Sequence, residues 1–204
     1  MLDGKMRRII GPGLDAIGRR LAAAGIGADA VTLAGFALAV AAAAAIAVHW
    51  YWTGLALLVA SRLADGLDGA VARASVKTDY GGFLDIVLDF GFYGGVPLGF
   101  VIADPGANAV AGAVLIFSFY VNGASFLAYA VMAERRGLTS DARGEKSLFF
   151  TTGLAEATET NIVLAAMCVW PSAFAWLAYA FAGVCLFTAL SRIALARRTL
   201  RSPE

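Results

Sequence analysis

Apolar residues run through this chain in blocks too long for the helices of a soluble domain, and the polar breaks between the blocks mark out its elements. From Ala30 to Ala60 there is no Asp, Glu, Lys or Arg, which is more than one membrane crossing of about 20 residues needs. The block is interrupted by His49, Trp50, Tyr51, Trp52, Thr53 and Gly54, and aromatic residues of this kind gather at membrane–water interfaces. The pattern therefore predicts a first span before this turn and a second from it to about Arg73. A third should run from about Asp79 to Ala103, stopping at Asp104, Pro105 and Gly106, and a fourth over about Ala107 to Ala133. After the polar segment Glu134 to Lys146, Trp170, Pro171 and Ser172 divide the remaining apolar stretch into a fifth and a sixth. Ahead of them all, Lys5, Arg7, Arg8, Arg19 and Arg20 alternate with Ile9, Ile10, Leu14, Ile17 and Leu21. That basic amphipathic pattern predicts a helix lying on the membrane surface. The expected fold is an all-α polytopic membrane protein, with residues 1–27 as the surface helix and linker and residues 28–204 as a six-span domain.

Composition agrees: of 204 residues 60% are hydrophobic and 15% charged, against about a quarter charged in soluble domains. The net charge of +1 gives no sign of a nucleic-acid partner. Cys168 and Cys185 lie in apolar runs without metal or redox spacing and read as buried, reduced packing residues. The 16 Lys and Arg avoid the turns at His49–Thr53, Asp104–Asn108 and Trp170–Ser172. The positive-inside rule then puts both termini in the cytoplasm, which an even number of spans satisfies. Gly91, Gly95 and Gly99 recur every four residues along the third span, a smooth face for close helix approach within one subunit or, alternatively, for a homodimer seam.

Charge inside these spans is concentrated in one place. Asp65 and Asp68 stand near the end of the second span, Asp85 and Asp89 near the start of the third. Carboxylates in a membrane are expensive and usually functional. Residues three or four apart share a helix face, and the short link around Val76 to Tyr80 makes the two helices neighbours, so the acid pairs should converge. Crowded carboxylates must be protonated or neutralised by cations, and an all-oxygen donor set suits magnesium or manganese. Gly66, Gly69, Gly81 and Gly82 remove side chains where a ligand would approach, and Arg73 returns to the face of Asp65, where it can fork onto a phosphate. An ion pair of Arg62 or Arg73 with Asp65 would explain one acid and leave the others unexplained.

The run Asp65-Gly-Leu-Asp68-Gly69-Ala-Val-Ala72-Arg73, followed by Gly81-Gly-Phe-Leu-Asp85-Ile-Val-Leu-Asp89, resembles the signature of the CDP-alcohol phosphotransferases. All eight fixed positions match, with a spacer, Ala74 to Tyr80, one residue shorter than the family pattern. The resemblance implies that Asp65, Asp68 and Asp85 ligate a two-metal centre of magnesium or manganese, which Asp89 touches while acting as general base. It implies that Gly69, Arg73 and Gly81, with Thr32 more weakly, line a CDP pocket. The donor would be CDP-diacylglycerol or another CDP-alcohol, and membrane lipids would surround the protein. The acceptor would be a small polar alcohol, glycerol 3-phosphate ahead of inositol phosphate and serine. Arg143 and Lys146, and likewise Glu156 and Glu159, are three apart and are candidates for holding that acceptor. The alternatives are an intramembrane prenyltransferase, whose families need more spans than this length allows, and a cation transporter, which would carry polar residues through the whole membrane depth.

Overall fold

The computed structural model describes residues 3–137 and 155–200, with side chains from residue 10 onward in the first helix. Among these residues seven α-helices follow one another: α1 (Asp3–Ala23), α2 (Ala28–Ala47), α3 (Tyr51–Ala74), α4 (Asp79–Ala103), α5 (Pro105–Arg135), α6 (Ala157–Val169) and α7 (Phe174–Leu200), with a 3-10 turn at Pro171–Ala173 before the last. The breaks fall where the polar pattern puts them, and local chemistry explains each. Gly25 takes a positive φ of 79° after α1, the left-handed turn that ends a helix most easily at glycine. The Thr78 hydroxyl accepts from the Gly81 amide at 3.0 Å and caps α4. Asp104 accepts from the Ala107 amide at 3.0 Å and caps α5, with Pro105 just inside it.

Among the described residues, α2, α4, α5 and the segment Pro171–Leu200 are long and apolar enough to cross a membrane. Helix α3 has comparable length but carries Arg62, Asp65, Asp68 and Arg73, and α6 is described over only 13 residues. Exposed apolar side chains run along the outside of the bundle, Leu33, Val40, Ile102, Val110, Phe117 and Trp176 among them. This is the surface a lipid-facing helix bundle presents.

Helix α2 is central. Ser61 of α3 donates to the Gly35 carbonyl at 2.8 Å, and a Cβ on Gly35 would come within 3.1 Å of the Ala64 Cβ. Against α4, a Cβ on Gly91 would lie 2.7 Å from the Phe36 ring and one on Gly99 2.6 Å from the Ala43 carbonyl oxygen. These contacts run in the same order along both helices, so α2 and α4 are parallel, with α3 antiparallel beside them. Gly91 and Gly99 thus serve packing within the chain, while Gly95 faces open space. Helix α1 rests on α3, where Gly18 meets Ala70 and Leu14 covers Gly66. The buried core joins Phe92, Phe100, Leu115, Leu164, Met167 and Phe174, with Cys168 and Cys185 inside it as free thiols.

Candidate metal and substrate cleft

The helix pairing brings the acids together at the end of the bundle where α2 and α4 begin and α3 ends. Thr32, Gly35 and Phe36 of α2, Ser61, Arg62, Asp65 and Asp68 of α3, and Asp85, Leu88 and Asp89 of α4 line one cleft. The 3.6-residue period sets the side chains on facing stripes: Asp65 and Asp68 on α3, Asp85 and Asp89 on α4. One carboxylate oxygen each from Asp65, Asp68 and Asp85 lie within 4.8 Å of one another. Asp68 is buried, and its Oδ2 has no hydrogen-bond partner. An orphaned buried carboxylate oxygen costs free energy unless something outside the protein satisfies it. Three hard oxygen donors so arranged fit a divalent cation such as magnesium or manganese.

Asp89 is held differently. Its Oδ1 accepts from Arg62 Nη1 at 2.7 Å, and the same nitrogen stands 3.5 Å from Asp65 Oδ1. The guanidinium lies over the Phe92 ring, 3.7 Å from its centroid, and its Nη2 donates to the Ser61 hydroxyl at 3.2 Å. The ion pair of Arg62 with Asp65 is therefore formed, but it is the weaker half of a bridge to Asp89. Arg62 is the residue that sequence reasoning underrated. A charged side chain deep in an apolar run was the available signal, yet its main partner is 27 positions away in sequence.

The other expected residues divide. Thr32 lines the cleft beside Asp68, and its hydroxyl donates to the Ala28 carbonyl at 3.0 Å. Gly69 and Gly81 lie outside that lining. A Cβ on Gly81 would sit 3.0 Å from Asp29 Oδ1 and 3.1 Å from Thr78 Oγ1, so a side chain there would press on the start of α2. Arg73 also stands apart from the four acids: its Nη2 donates to Asp15 of α1 at 2.8 Å, with both side chains about half exposed. Glu156 stands immediately before α6 and Glu159 sits in its first turn, the latter with a buried Oε2 that has no hydrogen-bond partner. Arg143 and Lys146 fall outside the described residues. Asn122 and Ser125 of α5 accept from Arg192 of α7 at 3.0 and 2.6 Å and so bond between helices.

Comparison with known proteins extends these observations. The family model for CDP-alcohol phosphatidyltransferase matches residues 26–190. The chain is 43% identical over 202 residues to the inner membrane protein YnjF of Escherichia coli (strain K12), covering 99% of this chain and 98% of that one. It is 42% identical over 86 residues to archaetidylinositol phosphate synthase of Methanothermobacter thermautotrophicus, covering 42% of this chain and 43% of that protein. In fold it resembles the crystal structure of Mycobacterium tuberculosis phosphatidylinositol phosphate synthase with CDP-DAG bound, at a TM-score of 0.71 and 22% identity over 90% of this chain and 93% of the other. The same synthase in complex with manganese and citrate gives a TM-score of 0.64 at 24% identity, over 89% and 87% of the two chains.

Proposed function

Because the chain belongs to the CDP-alcohol phosphatidyltransferase family, we propose that it transfers a phosphatidyl group from a CDP-alcohol to a small hydroxylated acceptor, releasing CMP, in phospholipid biosynthesis. CDP-diacylglycerol is the leading donor. The observation that carries this reading is the convergence of Asp65, Asp68 and Asp85 on one small volume, with Asp89 a turn further along α4. Family membership sets aside the prenyltransferase and transporter alternatives.

Magnesium or manganese held by Asp65, Asp68 and Asp85 would screen the donor's diphosphate and stabilise the charge left on the departing CMP. The remaining work belongs to side chains of this protein. Asp89 accepts the proton of the acceptor hydroxyl as general base, and its pairing with Arg62 through Oδ1 leaves Oδ2 for that role. The acceptor oxygen forms a bond to the phosphorus carrying the lipid while the bond from that phosphorus to CMP breaks, in line. Arg73 exchanges Asp15 for a phosphate oxygen of the donor, a change its exposure supports. In this reading Gly69, next to Arg73, and Gly81, beside Asp29, border the cytidine side of the donor pocket, and Thr32 offers a hydroxyl oxygen from the α2 side of the cleft.

The charge pattern supports a cytoplasmic cleft, with both termini on that side, α2 to α7 as six spans and α1 as a surface helix. Exposed Trp50, Trp52 and Trp170 at the opposite turns fit the far interface. Such a cleft is open to a lipid donor and to a soluble acceptor. Glu156 and Glu159, with Arg143 and Lys146, form the acceptor side in this reading, and the unpartnered Glu159 Oε2 supports a polar ligand there. The kinship with archaetidylinositol phosphate synthase moves inositol phosphate ahead of glycerol 3-phosphate and serine as acceptor.

The test is CMP release by the purified protein from CDP-diacylglycerol with magnesium, across inositol phosphate, glycerol 3-phosphate, serine and no acceptor. Acceptor-dependent CMP together with a new phosphodiester lipid is expected. Absence of CMP with every acceptor, from protein that is folded and metal-loaded, would overturn the donor assignment.

A further inference from the structure

Asp65, Asp68 and Asp85 bring one carboxylate oxygen each to a common point, whereas the fourth acid, Asp89, is turned to Arg62. Asp89 is bound by Arg62 at 2.7 Å, the shortest of that arginine's contacts. The guanidinium is fixed from several sides. Asp65 stands at 3.5 Å, Ser61 at 3.2 Å and the Phe92 ring at 3.7 Å. Ser61 is itself anchored by its bond to the Gly35 carbonyl at 2.8 Å. Only 14% of the Arg62 side chain is exposed, and its Nε is buried without a hydrogen-bond partner. A long surface arginine samples many rotamers, whereas this one is packed in place.

Position matters as much as contact. Arg62 lies a turn before Asp65 on α3, and Asp89 a turn after Asp85 on α4, so the pair forms the floor of the cleft beneath the three converging acids. A cation at that floor must share the Asp89 and Asp65 oxygens that face Arg62. Two positive centres competing for one carboxylate repel each other strongly in a partly buried site.

Building on the metal centre of the proposed function, we infer that Arg62 is a built-in cation that occupies the place of a second divalent ion in the donor-free protein. The chain then loads one ion, on Asp65, Asp68 and Asp85, and Arg62 keeps Asp89 metal-free and oriented as a carboxylate. A second ion enters only where Arg62 is removed or displaced from Asp89. Arg62 is a positioning residue in this scheme, acting on the substrate through Asp89.

Manganese binding to the purified, donor-free chain tests this by isothermal titration and by electron paramagnetic resonance. Wild type and Arg62→Lys are expected to take up about one ion per chain with the signal of an isolated centre. Arg62→Gln should take up about two, with the coupled signal of ions roughly 4 Å apart. Asp89→Asn should still bind a single ion, with a loss of affinity below about tenfold, because Asp89 is not a ligand. This variant keeps the test open if Arg62→Gln does not fold. Two coupled ions in wild type, a single ion in folded Arg62→Gln, or a large loss of affinity in Asp89→Asn would each overturn the inference while leaving the metal centre standing. No manganese bound by folded wild type would overturn the metal centre itself, and the inference with it.

Discussion

Arg62 and Arg192 both lie inside the bundle, and they are compensated in opposite ways. Arg192 of α7 gives one nitrogen, Nη1, to the Asn122 carbonyl at 2.9 Å, the Asn122 side chain at 3.0 Å and the Ser125 hydroxyl at 2.6 Å, all neutral oxygens of α5. Arg62 of α3 faces carboxylates instead, Asp89 at 2.7 Å and Asp65 at 3.5 Å. The first arrangement fastens two helices through hydrogen bonds supplied by one helix face. The second leaves four carboxylates in a cleft with a single guanidinium among them. Excess negative charge in a partly buried site has to be met from outside the protein, and this imbalance separates a ligand site from a helix seam.

The largest way to break the contrast is at the three converging acids. Asp65→Asn or Asp68→Asn should lower the acceptor-dependent rate by about a thousandfold, the size of a lost charge-stabilising contact of roughly 4 kcal/mol. Either variant should also lose the manganese-dependent rise in melting temperature that wild type shows. An Asp65→Asn protein that manganese stabilises as much as wild type would count against the site.

Next is Arg62→Gln. With chelator present, removing one member of the buried pair should destabilise the chain by about 3 kcal/mol, because Asp89 and Asp65 are left facing each other uncompensated. Manganese should restore much of that loss, which a thermal melt with and without the ion reads directly. Arg192→Gln sharpens the contrast from the other side. It should lower stability by roughly 1–2 kcal/mol, the value of hydrogen bonds to a charged group, with no change in the manganese-dependent shift. Smallest in stability is Arg73→Ala. Its partner Asp15 and Arg73 itself are about half exposed, so the loss should stay below about 1 kcal/mol. A calorimetric measurement of donor binding should nonetheless show weakening by about tenfold, the share of one phosphate contact.

How far the sequence announces this structure differs between elements. The limits of α4 and the break at Pro171 follow from proline, glycine and polar residues that interrupt apolar runs, and both stand where the pattern puts them. The pairing of the acids was also legible, since helical spacing and a short link determine which faces meet. The partnership of α2 with α4 was not. It depends on Gly91 against Phe36 and Gly99 against Ala43, and the glycine spacing indicates a close approach without naming the helix that makes it. Arg73 illustrates the same limit. Its spacing from Asp65 points toward the acids, but α1 packs along α3 and delivers Asp15 to it from 58 residues away. An amphipathic pattern says that α1 has an apolar face and does not say which neighbour that face covers. Helical spacing pairs Arg62 with its near neighbour Asp65, although its tighter partner arrives only when α3 and α4 are laid side by side.

The central claim is that this cleft performs metal-supported transfer with Asp89 as the base. The most direct measurement is acceptor-dependent CMP release from CDP-diacylglycerol with magnesium, by wild type and Asp89→Asn at matched amounts of folded, metal-loaded protein. The account predicts clear turnover by wild type and a loss of at least about a hundredfold in the variant, the lower range for a general base. Asp89→Asn turning over at the wild-type rate would contradict it.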